Sequence, residues 1–245
     1  MWEIHLRDQA ETMSPHHWIV TLIVGTLALP GAEAPRLLTP GDYWADDLAA
    51  DTAGQWLALM PGHGAADRLT DVTVRVRRHP RAAGDDPDLD RASVLVEGPR
   101  GAPRFLVRGL QGLQPGKTLR LALEYRLTVD CPLTVRHPMA TMPWLLTLHI
   151  LPAEGDLQDH QAVAVVQHGA RSATLGPFPW WPDRTGLRDP TVEWVGDLDG
   201  DGSVDMLIDF TDGEKGEACP TLWMGSTDPL APLLRPVAAF FQHGC

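Results

Sequence analysis

The most regular feature of the chain is a period of two. Leu119, Leu121, Leu123, Tyr125, Leu127 and Val129 alternate with Arg120, Ala122, Glu124, Arg126 and Thr128. Such alternation predicts a strand with one face in a core and the other toward water. Val72, Val74 and Val76 alternate with Thr73, Arg75 and Arg77, and shorter runs of the same kind lie at 93–96, 105–107, 145–150 and 162–166. Turn-forming clusters separate them: Pro61-Gly62-His63-Gly64, Gly84 to Asp90, Gly98 to Pro103 and Gln114-Pro115-Gly116. No apolar stripe at helical spacing follows the N-terminal region. Short strands bounded by turns predict an antiparallel all-β domain over 35–178, β-sandwich-like by default with a barrel as the alternative.

A Pro/Trp-rich stretch, Gly176-Pro177-Phe178-Pro179-Trp180-Trp181-Pro182, interrupts the alternation and reads as a stiff connector packed by its rings. Trp180 and Trp181 could stack on sugar, but indoles beside prolines are more often packing groups. Beyond it, 179–245 holds strand candidates at 192–195, 206–210, 221–224 and 237–241. These predict a small C-terminal β-sheet, too small to stand alone and expected to dock on the first part.

The N-terminus breaks the β pattern. Trp18 to Leu29 is a mostly apolar run followed by Pro30-Gly31 and by Ala32-Glu33-Ala34. This order of apolar segment, breaker and small residues predicts a secretory signal peptide over 1–34, with Met1 or Met13 as the start. The apolar run is too short to span a bilayer, so no stable membrane span is expected after cleavage.

Charge narrows the partners. There are 20 Lys and Arg against 32 Asp and Glu, a net charge of −12, which repels phosphate backbones and anionic lipid head groups. Nucleic acid is therefore not an expected partner; a protein or a glycan is. Export would place Cys131, Cys219 and Cys245 in an oxidising compartment. Three cysteines leave one thiol over, with Cys219–Cys245 the preferred pairing. No C-x-x-C occurs, which argues against a zinc cluster.

Chemistry concentrates in one segment. Asp197-Leu198-Asp199-Gly200-Asp201-Gly202-Ser203-Val204-Asp205 places carboxylates at loop positions 1, 3, 5 and 9, with glycine at 6. A hard cation such as Ca2+ takes six to eight oxygens, and this spacing wraps Asp197, Asp199, Asp201 and Asp205 around one point, with the Ser203 carbonyl at position 7. Without a cation the four carboxylates repel one another. Position 12 is Ile208 rather than a bidentate acid, and both flanks are strand-like, so an EF-hand is excluded.

With strand, calcium loop and strand in order, the segment resembles the FG-GAP/VCBS-type repeat of integrin α-subunit propellers and of secreted bacterial proteins. The resemblance covers about residues 192–210 and rests on Asp197, Asp199, Asp201, Gly202 and Asp205, followed by Met206-Leu207-Ile208. It implies calcium held by the carboxylates at 1, 3, 5 and 9 and the carbonyl at 7. Propellers repeat the motif from blade to blade, whereas this chain carries it once. Asp86-Pro87-Asp88-Leu89-Asp90 starts similarly but has Arg91 in place of the glycine and Val94 at position 9.

Other catalytic signatures are absent. There is no G-x-S-x-G elbow, and Gly109-Leu110-Gln111-Gly112 lacks the Lys of a phosphate loop. His137, His149, His160 and His168 show no ligand spacing and read as ordinary sheet residues. Asp209 and Asp212 read as exposed acids or outer acceptors of the loop. The leading expectation is an exported, non-enzymatic calcium-binding β-protein, a binding or envelope-associated module with a structural calcium. The alternatives are a secreted hydrolase, acting on polysaccharide, with the loop as an accessory, and a partial propeller that assembles with other chains.

Overall fold

The computed structural model describes residues 34–79, 90–128, 131–151, 160–180, 190–210 and 219–240. The expected signal segment up to residue 33, Asp212, Trp181 and Cys245 lie outside them, as do the side chains of His160 and Trp180. The molecule is all-β, as the alternation predicts. Its strands are β1 (Arg36–Leu38), β2 (Asp42–Trp44), β3 (Gly54–Met60), β4 (Ala66–Arg78), β5 (Arg91–Glu97), β6 (Phe105–Arg108), β7 (Gly116–Arg126), β8 (Leu133–Val135), β9 (Trp144–Leu151), β10 (His160–His168), β11 (Arg171–Trp180), β12 (Thr191–Asp197), β13 (Asp205–Asp209), β14 (Pro220–Gly225) and β15 (Leu234–Ala239).

All the strand pairs are antiparallel and fall into two sheets. The larger has eleven strands, in the order β1-β6-β3-β4-β7-β12-β13-β14-β15, with β5 and β2 branching from β4. The branch follows from length. β4 runs for 13 residues, so its first part pairs with β7 (Ala66 opposite Leu119) and its second with β5 (Val76 opposite Val94). β15 comes back beside β1, which makes the sheet a nearly closed barrel. The smaller sheet has four strands in the order β11-β10-β9-β8.

The C-terminal strands are the last four of the large sheet, not a sheet of their own. Thr191 lies opposite Arg126 and Val195 opposite Ala122, so β12 covers the edge of β7 that faces away from β4. An uncovered strand edge exposes a row of unpaired amides, and this pairing removes it.

Two cores explain why β12–β14 read as nearly continuous apolar runs. Trp194, Leu207, Leu222 and Met224 point into the barrel with Leu59, Leu69, Phe105 and Leu106. Val192, Val195, Met206, Ile208 and Trp223 point outward and pack with Leu127, Trp144, Leu146, Val166 and Leu175 under the small sheet. These strands are buried on both faces, so their polar alternation disappears. Val192 and Trp194 face different cores because the ladder with β13 shifts register between them, as at a β-bulge.

One polar knot sits inside the barrel. Asp67 is 1% exposed, and its two oxygens accept four hydrogen bonds. These come from the Gly62 N–H (3.1 Å), Arg120 Nη1 (2.7 Å), Arg104 Nε (2.9 Å) and the Trp194 indole (3.1 Å). Every lone pair is used, which is the condition under which a buried carboxylate is tolerated. The knot ties β4, β7, β12 and the entry to β6. Losing one partner of such a buried pair costs about 3–5 kcal/mol.

Candidate metal centre

The Asp-rich segment is the turn of the β12–β13 hairpin, closed by Gly196 opposite Asp205. Each foot of the turn is anchored by an apolar residue. Leu198 enters the barrel core and Val204 the inter-sheet core. Gly200 and Gly202 have φ of 79° and 84°, a left-handed conformation that a side chain disfavours, which is why glycine stands at both positions.

The loop's amides turn inward onto its own carboxylates. Asp197 Oδ1 accepts from Gly200 N–H at 2.8 Å and Oδ2 from Gly202 N–H at 3.1 Å. Asp205, fully buried, accepts from Leu198 N–H at 2.7 Å and from Gly225 N–H, on β14, at 2.8 Å. Asp199 accepts from Asp201 N–H at 3.2 Å, and Asp201 from Ser203 N–H at 2.7 Å.

Of the five expected ligand residues, Asp197, Asp199 and Asp205 come together, each with a carboxylate oxygen within 4.8 Å of the others. Asp201 is exposed and stays outside that group. Ser203 is 1% exposed, and its hydroxyl is buried with no hydrogen-bond partner. Asp209 sits at the far end of β13, where it accepts from Cys219 N–H at 3.1 Å, too far along the strand to serve the loop.

The electrostatics point the same way as the geometry. Burial pushes the Asp205 carboxyl well above the usual carboxylate range, the Gly225 and Leu198 amides pull it down, and the charges of Asp199 and Asp201 push it up again. Asp199 is raised too, by burial first and by the charge of Asp201. Three converging carboxylates form a site short of positive charge. Hard oxygens of this kind suit an alkaline-earth cation better than a soft metal. The group could therefore hold a metal ion.

Sequence reasoning missed two residues here. Gly225 comes so close to the loop that a Cβ on it would overlap the Ser203 hydroxyl and the Val204 carbonyl. His137, in the connection after β8, is 4% exposed, with Nε2 3.4 Å from Asp197 Oδ2. No spacing signal links position 137 to 197, because the contact crosses from one sheet to the other. Of the other histidines on strands, His149 bonds Thr147 at 2.9 Å and His168 stacks on Trp144 at 4.6 Å.

Two other constellations bear on catalysis. Ser93 donates to Asp42 and lies 2.5 Å from His79 Nε2. With the Ser93 hydroxyl proton directed at Asp42, the imidazole donates to the serine oxygen rather than activating it, the reverse of a nucleophilic triad. A cavity of about 310 Å³ at the other end of β12–β13 is lined by Arg104, Phe105, Glu124, Glu193, Trp194 and Asp209, among others. Its acids are exposed or half-buried, unlike a desolvated acid–base pair.

No helix among the described residues is long and apolar enough to cross a membrane. No protein-family model, curated protein or solved structure matches the chain.

Proposed function

We propose that this is an exported calcium-binding β-protein, a non-enzymatic binding or envelope-associated module whose calcium braces the β12–β13 turn. The observation that carries the reading is the convergence of Asp197, Asp199 and Asp205 at the foot and flank of one hairpin. The Asp-rich spacing and its likeness to FG-GAP/VCBS-type loops favour calcium over other hard cations. Bound there, calcium supplies the charge that the three carboxylates lack. Export rests on the N-terminal apolar run with its small-residue break, and the exclusion of nucleic acid as a partner on the net charge of −12.

Calorimetric titration of the folded protein with calcium should give one site per chain. Asp199→Ala should abolish binding, while Asp201→Ala should weaken it less, since Asp201 lies outside the converging group. A flat titration of the wild-type protein would reject the calcium reading.

A further inference from the structure

Asp197 is loaded unequally, and the extra load comes from outside its loop. Each carboxylate oxygen has two acceptor positions. Oδ1 uses one, on Gly200 N–H, whereas Oδ2 takes Gly202 N–H and also faces His137 Nε2 at 3.4 Å. The imidazole is held from its other side, where Nδ1 accepts the Met139 N–H at 3.1 Å. That bond puts the proton of the neutral ring on Nε2, so Nε2 is a donor and cannot be a metal ligand. The ring is nearly enclosed, and Nε2 has no hydrogen-bond partner. Oδ2 of Asp197, 3.4 Å away, is the acceptor within its reach.

We infer that His137 is a positioning residue of the cation site: it occupies Oδ2 of Asp197 and leaves Oδ1 to the cation. This inference rests on the calcium reading above. Its physical content is that the site is completed by the smaller sheet. The loop supplies the ligands, and the connection between β8 and β9 supplies the donor that orients one of them. Outer donors of this kind raise metal affinity by fixing the ligand's direction before the ion arrives, and their loss typically costs about 10- to 100-fold in affinity.

Two substitutions separate orientation from packing. In His137→Gln the side-chain amide reaches about as far as Nε2 and can still donate to Asp197. In His137→Asn the amide ends near the position of Nδ1, where it can still receive Met139 N–H but cannot reach Asp197. Calcium titration of both variants, with melting curves in chelator, is the test. The expected result is a loss of about 10- to 100-fold in affinity for Asn, near-wild-type affinity for Gln, and similar melting temperatures for both in chelator. Equal affinity in Asn and wild type overturns the inference, as does an equal loss in both variants, which would reduce the imidazole to a packing group. Failure of the wild-type protein to bind calcium is a separate result and removes the reading beneath it.

Discussion

Tyr43 shows how a single residue reports on the interior. It is 3% exposed and meets Phe240 edge to face at 5.2 Å, with its hydroxyl 3.5 Å from Thr39. Burial raises its phenol above the ordinary 10.0; the Thr39 hydrogen bond works against the shift and the charge of Asp42 works with it. A folded-state value above the unfolded one means that the contribution is fully present below about pH 10 and is lost as pH rises through the folded value. Stability should therefore fall on the alkaline side, and Tyr43→Phe should flatten that fall. The chain has only two tyrosines, and Tyr125 is raised as well, chiefly by its hydrogen bond to Cys131. Tyrosinate absorbance in a Tyr125→Phe background then reads Tyr43 alone. A titration centred at the value of free tyrosine would show that the ring is not buried.

At the scale of the element, the β12–β13 hairpin depends on β14 as much as on its own loop. Gly225 donates to Asp205 and leaves no room for a side chain against Ser203 and Val204. Gly225→Ala should therefore cost about 1–3 kcal/mol, the usual range for forcing extra atoms into a packed site, and should weaken calcium binding by moving Asp205. Gly200 has open space around the position of a Cβ, so Gly200→Ala should show only the smaller penalty of its left-handed backbone. Denaturant midpoints and calcium titrations of the two variants check both points. An unchanged calcium affinity in Gly225→Ala would mean that Asp205 is held by its own hairpin alone.

For the whole molecule, the consequence of a cation at this turn is stability. The hairpin lies between the two cores, with Leu198 in one and Val204 in the other, so loosening it loosens both. A ligand that binds only the folded state adds RT ln(1 + [L]/Kd), about 2.7 kcal/mol at a hundred times Kd. At roughly 2–4 °C per kcal/mol for a chain of this size, chelation should lower the melting temperature by about 5–11 °C. The shift should disappear in Asp199→Ala. Scanning calorimetry with calcium and with excess chelator measures it, and an unchanged melting temperature alongside proven binding would show that the ion does not brace the fold.

Some of this was legible in the order of residues. The eleven-residue alternation ending at Val129 marked a strand, and most of it became β7, although on its expected water face Arg120 turns to the buried Asp67 and Ala122 packs on the inter-sheet core. The Asp-rich spacing located the hairpin turn, and the closure of the hairpin brought Asp205 back to Asp197 and Asp199, whereas Asp201 stayed outside the group. The rest needed the folded chain. That β12 would pair with β7, rather than stay with its own neighbours in a separate sheet, depended on which strand edge was left open. Burial of β12–β14 on both faces followed from that placement. Asp67 found three of its four donors, Arg104, Arg120 and Trp194, and Asp197 came to face His137, across gaps of sequence that carry no periodic signal. Local order determines what a strand or a turn can be, but contacts between distant segments depend on which surfaces the assembled sheets bring face to face.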